Sequence, residues 1–258
     1  MAGAGAVSSV ELTVVGSVNL DLVARVERLP ERGETLTARS FARLPGGKGA
    51  NQALAAARFG ARVRFVAAVG ADHFADEALV NLVAAGVELE LDRIGETGVA
   101  FVVVDAEGAN EIVVVPGANA VLTPREVEGA VLCQLEVPDE VVLAAARRAS
   151  FFALNAAPAG FLDLEPDLLV VNEIEHAVFS RGKLVAVTRG AAGAVLYEGD
   201  REVARADAPK VDVVDTTGAG DAFTARLVVA LLEGTPRDEA LRLACAAGAE
   251  ASTRLGAQ

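Results

Sequence analysis

Residues 49–70 read GANQALAAARFGARVRFVAAVG, an Ala-rich helical stretch (about 49–58) that stops at Gly60 and turns into a β-branched run (about 63–69). That change of period marks a βαβ crossover. A crossover of this kind puts its two strands parallel, and parallel strands are covered by helices on both faces. The alternation recurs along the chain. VELTVVG before it predicts a buried strand ending at Gly16, and residues 76–86, DEALVNLVAAG, predict a second helix closed by Gly86.

After Pro124 the sequence VLCQLEV reads as a strand, DEVVLAAARRA as a helix, and FFALNAA, DLLVVNE and KLVAVTRG as three further strands. AVLYEG, REVARAD and VDVVDTTGAGD lead into two Ala/Leu-rich helices, about 220–233 and 237–253. The expected fold is α/β, a Rossmann-like three-layer sandwich.

Two regions break the alternation. Residues 18–45 hold an alternating strand after Ser17 and a half-exposed one in ETLTARSFARL (34–44). Residues 96–118 hold GVAFVVV and EIVVV joined by DAEGAN, a good hairpin turn. Strands without intervening helices cannot be central and parallel, so these predict a small separate β-sheet. The expected partition is a core of 1–17, 46–95 and 119–258 and a β lid of 18–45 and 96–118.

With 258 residues the chain is long enough for a sizeable core, and its net charge of −13 argues against a nucleic-acid-binding surface. The N-terminal MAGAGAVSSV has no basic or apolar signal region, and charges interrupt every apolar stretch, so no membrane segment is expected. Cys133 and Cys245 lie far apart with only two His in the chain, which predicts reduced, buried thiols in a cytoplasmic protein. His73 and His176 sit among acidic residues and read as solvated side chains. The GAGA at 3–6 precedes the first strand, so it is no dinucleotide fingerprint.

Two glycine clusters carry the chemistry. PGGKGANQA (45–53) fails the P-loop pattern, because Gly49 follows Lys48 where a Ser or Thr must hold magnesium. DTTGAGD (215–221) sets Gly218, Ala219 and Gly220 just before a long helix, where backbone N–H groups and the helix dipole favour an anion. Asp221, in the first turn, would stand beside that anion as a base for a hydroxyl attacking a phosphoryl group. On its own the heptapeptide also reads as an Asp-capped helix behind a tight turn.

GGKGANQA followed far downstream by DTTGAGDAF resembles the two signature regions of the ribokinase-like (PfkB) carbohydrate kinase family. VGSVNLDLV, the stretch ETGVAFVVVDAEGANEIVVVPGANAVLT, CQLEVP, ALNAAPA, VNEIE, VTRGAAG and STRLGAQ resemble further segments in the same order, over nearly the whole chain. The resemblance implies ATP-dependent phosphorylation of a sugar hydroxyl, D-ribose to ribose 5-phosphate being the first expectation. It implies that Asn19, Asp21, Gly47, Lys48, Asn51 and Glu136 hydrogen-bond the sugar, with Asp221 as base and 218–220 as anion hole.

It further implies that Asn172 and the loop of Thr188, Arg189, Gly190, Ala191, Ala192 and Gly193 serve ATP, and that Glu175 serves Mg2+ through water. Read alone, NEIE is also a surface turn and TRGAAG also a strand-to-hairpin turn, just as Asn19 and Asp21 also fit a polar turn. Asp215 and Thr217, with carbonyls near Ala251, Arg254 and Gly256, match a monovalent-cation (K+) site, although Asp215 also fits a plain turn.

The chain departs from the family pattern in three places. Only eight residues separate Glu175 from Leu184, where relatives carry a helix; Gln258 stands where relatives continue with a final helix; and Cys245 replaces a His near the adenine. A homodimer joined through the lids is expected, since lid sheets with an exposed apolar face pair between subunits. The alternatives are a kinase for another sugar, a sugar acid or a nucleoside, and a non-catalytic sugar-binding relic.

Overall fold

The computed structural model describes residues 10–258; the segment 1–9, with its GAGA and its expected lack of a leader, lies outside the described residues. The chain forms a mixed α/β structure with two sheets. In chain order the first elements are β1 (Glu11–Val15), β2 (Asn19–Arg25), β3 (Ser40–Gly46), α1 (Lys48–Arg58), β4 (Arg62–Val69), α2 (His73–Ala84) and β5 (Glu88–Arg93). There follow β6 (Gly98–Val104), β7 (Asn110–Val115), β8 (Gly129–Gln134), α3 (Asp139–Ala146), β9 (Ala149–Asn155) and β10 (Leu168–Asn172). The last are α4 (Glu173–His176), β11 (Leu184–Thr188), β12 (Ala194–Glu198), β13 (Arg201–Ala206), α5 (Ala219–Leu232) and α6 (Arg237–Ala251).

The large sheet runs β13-β12-β11-β10-β9-β8-β1-β4-β5. Strands β5 to β11 are all parallel, and β12 and β13 close one edge antiparallel. β1 has β4 on one side and β8 on the other, so the strand order reverses there. In open α/β sheets ligands bind outside the carboxyl ends of the strands at such a switch point.

Alternating strand residues bury on opposite faces. Leu12, Val14, Phe65, Leu132 and Leu168 pack with α1, α2, α5 and α6. Val15, Val66, Val131, Leu154 and Leu169 pack with α3 and with Leu122, Leu162 and Phe179 from irregular segments. Each such side chain, wholly removed from water, contributes about 2 kcal/mol. The two outer layers are therefore unequal. The four-residue α4 leaves Phe179 and the 158–167 segment to cover the sheet where a full helix is absent, and Phe161 packs edge-on to Phe179 at 5.5 Å.

The second sheet runs β3-β2-β6-β7. Two local expectations need correction. Residues 34–39 form no strand, because β2 ends at Arg25, whose partner is Ser40, and nothing lies beyond for an earlier segment to pair with. The edge strand β5 has no counterpart in the sequence reading, although Leu89 and Leu91 alternate with charged residues there.

The glycines around Lys48 follow from crowding at the start of α1. Gly47 caps the helix with φ 88°, a left-handed conformation that side chains avoid. A Cβ on Gly49 would lie 2.5 Å from the Ser17 backbone nitrogen, so only glycine lets α1 press its first turn against the end of β1.

Candidate active site

A cleft of about 680 Å³ opens at the switch point, between the carboxyl ends of the large sheet and one face of the second sheet. Along β2 the residues facing it are Asn19, Asp21, Val23 and Arg25, spaced by two as a pleated strand requires. β6 and β7 contribute Ala100, Val102, Ile112 and Val114, an apolar wall opposite the polar floor.

The floor is built by α1 and the turn after β8. Glu136 Oε2 accepts from Ser17 Oγ at 2.5 Å and from the Lys48 backbone N–H at 2.9 Å, which ties β1, β8 and α1 together. Lys48 extends into the cleft. Burial works to lower its pKa, and the charges of Asp221, Glu136 and Glu175 outweigh it, so the ammonium is held firmly charged. Burial, then Glu136 and Asp221, push the Asp21 carboxyl up to about 7.

Asp221 is buried at the first turn of α5. It does not cap that helix: the N-cap is Gly218, in the left-handed conformation, with no side-chain cap bond. Both carboxylate oxygens are instead held from α1. Asn51 Nδ2 donates to Oδ2 and Gln52 Nε2 to Oδ1, each at 2.9 Å. Burial raises the Asp221 pKa, against the pull of the Lys48 ammonium and of these two amide donors. Gly218 and Gly220 face the cleft beside it, at the N-terminus of a 14-residue helix. Ala219 does not; its N–H is spent on Thr216 O at 3.2 Å.

On the far side Asn172, Glu175 and Thr188 line the same cleft. Asn172 and Glu175 form a reciprocal capping box on α4, in which Glu175 Oε2 accepts from Asn172 N at 2.8 Å. Burial raises the Glu175 pKa, against the Asn172 bond and the Lys48 charge. Arg189, Gly190, Ala191, Ala192 and Gly193 make a tight turn after β11 and stand outside the cleft lining.

Asp215, Thr217 and Gly256 line the cleft and are bonded to one another. Asp215 Oδ1 accepts from Thr217 N and Oγ1, at 2.9 and 2.7 Å, and Oδ2 accepts from Gly256 N at 2.9 Å. Ala251 and Arg254 open onto a neighbouring groove. Cys245 is buried with its sulfur 3.7 Å from Ala206 O, and burial pushes its thiol up to about 11.

Several residues at the site lie in the motif segments of the sequence but carry no role of their own there. Asn119 donates to Asn19 Oδ1 at 2.8 Å, and Gln258 Nε2 donates to Asn51 Oδ1 at 2.9 Å. Gln52, Gln134 and Asn155 form a buried amide chain leading to Asp221. Their signal in the sequence is membership of the segments GGKGANQA, PGANAVLT, CQLEVP, ALNAAPA and STRLGAQ, which says nothing of which side chains meet.

A sequence profile described as pfkB family carbohydrate kinase matches residues 10–164 and 155–258, which together span all the described residues. The chain belongs to the pfkB family of carbohydrate kinases. It is 38% identical over 278 residues to the ribokinase of Bacillus subtilis, covering 96% of this chain and 94% of that one. Among solved structures it resembles the ribokinase of Thermotoga maritima, with a TM-score of 0.83, 33% identity and coverage of 96% and 94%. It also resembles Arabidopsis thaliana ribokinase complexed with ribose and ATP, with a TM-score of 0.80, 30% identity and coverage of 96% and 94%. The kinase is thus an enzyme of the ribokinase type. Among its described residues no helix is long and apolar enough to cross a membrane.

Proposed function

We propose that this kinase transfers the terminal phosphoryl group of ATP to a hydroxyl of D-ribose, giving ribose 5-phosphate. The observation that carries the reading is Asp221, buried behind Gly218 and Gly220 with both oxygens fixed, in the same cleft as Asn19, Asp21, Lys48 and Glu136. The polar residues offer a polyhydroxyl ligand alternating donors and acceptors, an arrangement that rejects analogues lacking a hydroxyl. Asp221 takes the proton from the attacking hydroxyl, and the N-terminus of α5 receives the charge gathering on the transferred group. Asn172 and Thr188 stand where the triphosphate would lie.

The donor set suits the two cations. Glu175 uses one oxygen on its own helix and keeps the other, which fits a Mg2+ that retains most of its water and neutralises the phosphates when bound. Asp215 and Thr217 line the cleft next to Gly218, and a K+ held by Asp215 with carbonyls near Ala251, Arg254 and Gly256 would stiffen the anion-hole loop. The lid of 18–45 and 96–118 closes over the sugar. Phe101 and its cross-strand partner Val113, with Val115 and Phe41, stand exposed on the face turned from the cleft, and two copies joined there would cover them. Light scattering that gives a monomer mass at micromolar concentration counts against that dimer. The buried, separate thiols fit a cytoplasmic enzyme.

The test is an ADP-release assay over ribose, deoxyribose, fructose, sugar acids and nucleosides. Ribose giving the highest kcat/KM supports the reading. A different preferred sugar moves the substrate within the family, and no turnover with any of them supports a binding relic.

A further inference from the structure

Gln52 lies one residue beyond the Asn51 contact, on the buried side of α1, and is fully excluded from water. Its side-chain amide stands at the centre of a directional chain. Gln134 Nε2 donates to Gln52 Oε1 at 2.6 Å, and Gln52 Nε2 donates to Asp221 Oδ1 and to Asn155 Oδ1, both at 2.9 Å. Asn155 Nδ2 in turn donates to Val170 O at 3.1 Å. An amide nitrogen has two N–H groups, and both are used. Turning the Gln52 amide over would set its oxygen against two acceptor oxygens at once, so a single orientation satisfies the chain.

Gln134 enforces that orientation. It is fully buried, and its Oε1 has no partner among the described residues; a Cβ on Gly16 would sit 2.0 Å from that atom, so Gly16 lets the amide lie flat against the end of β1. A buried polar atom left unpaired is a standing cost, which here accompanies a fixed direction of donation toward Asp221.

We infer that Gln52 is a positioning residue: held by Gln134 and Asn155, its amide keeps the Asp221 carboxylate oriented and ionised for proton acceptance. The inference rests on the reading of Asp221 as general base. The charged groups facing Asp221 are Lys48 from α1, Glu136 from the turn after β8 and Asp21 from β2. The two anions and burial disfavour its ionised form, so the neutral donors Asn51 and Gln52 with the Lys48 cation must offset them. Gln52 is the donor whose place does not depend on the sugar, since Asn51 faces the cleft and Gln52 does not.

The test is Gln52→Met, which keeps length and burial and removes the donor. Two quantities are followed with pH: kcat, and the carboxyl carbon resonance of Asp221, identified by its loss in Asp221→Asn. The expected result is a rise of about one unit in the Asp221 midpoint and in the acid limb of kcat. Below that midpoint kcat falls by up to about tenfold and it recovers as pH rises past it, while KM for the sugar stays within about threefold. A purely structural role lowers the melting temperature and leaves both midpoints in place, which overturns the inference. Where Gln52→Met fails to fold, Gln52→Leu, smaller and equally unable to donate, serves instead: the midpoint rises in the same direction, and an unchanged midpoint overturns the inference. A raised Asp221 midpoint without a matching move in kcat, or retained turnover in Asp221→Asn, overturns the general-base reading and leaves the positioning role standing.

Discussion

Asn119 donates its side-chain N–H to Oδ1 of Asn19 at 2.8 Å, across 100 residues of sequence. The same amide accepts from Val18 N at 2.9 Å and donates to Val18 O at 3.0 Å. A single side chain on the turn after β7 thus fixes the backbone between β1 and β2 and orients a cleft-facing amide. Asn119→Ala frees Asn19 to rotate and leaves buried backbone groups of Val18 unpaired, at a cost of about 1–3 kcal/mol. The expected outcome is a lower melting temperature and a KM for sugar about tenfold higher, with kcat changed less, in steady-state assays. Unchanged KM in a folded variant removes Asn19 from the sugar site.

How much of this was legible in the sequence depends on the range of the interaction. The βαβ alternation and the two glycine clusters are local patterns, and they locate the switch-point cleft and the N-terminus of α5. The amide chain is not local. Gln52 meets Asn155 and Gln134 at separations of 103 and 82 residues, and nothing in ANQALAAA distinguishes Gln52 from a solvated polar residue. The heptapeptide around Asp221 left cap and base open, and the structure removes the cap, since Gly218 holds that position and both carboxylate oxygens accept from Asn51 and Gln52. ETLTAR (34–39) shows the reverse failure: a period of two marks a strand only where a partner strand exists.

The raised Asp21 carboxyl makes stability depend on pH. Its pKa stands at about 7 in the fold against 3.8 ordinarily, so between about pH 4 and 7 the folded chain keeps a proton that the unfolded chain has lost. Stability therefore falls as pH rises through that window and levels off above it. About 3 units at about 1.4 kcal/mol each bound the loss at about 4 kcal/mol. Without ligand, Asp21→Asn is expected to melt higher than the wild type at pH 8 and equally at pH 4, while binding sugar more weakly. Thermal melts across pH 4–8 that run parallel for the two proteins contradict the burial of a protonated Asp21.

Activity is expected to rise with potassium as well as magnesium. The motive is the Asp215 carboxylate, which accepts from Thr217 N and Gly256 N on the loop that continues into Gly218, so an ion held by Asp215 fixes the anion hole's shape. The measurement is initial rate in potassium, sodium and lithium buffers at constant ionic strength. Equal rates in all three remove the prediction, and equal losses in Asp215→Ala with and without potassium assign Asp215 to the turn alone.

Asp221 and Lys48 should separate cleanly in kinetics. Asp221→Asn keeps size but offers one acceptor oxygen to two donors, Asn51 and Gln52, so one donor faces an N–H and stability drops by about 1–3 kcal/mol. The proton acceptor is gone, and kcat is expected to fall roughly 10²–10⁴-fold, the usual worth of a positioned base. Sugar affinity should change far less, because the remaining amide still meets the hydroxyl. Lys48→Met should do the reverse, chiefly raising KM if the ammonium contacts sugar equally in ground and transition states. It also removes the Lys48 charge that favours the ionised Asp221 carboxylate, so the acid limb of kcat should move to higher pH. Measuring kcat, KM, sugar affinity and melting temperature for both variants distinguishes these effects, since a structural role for Asp221 would lower only the melting temperature. An Asp221→Asn protein that turns over within a few-fold of the wild type ends the assignment of Asp221 as base.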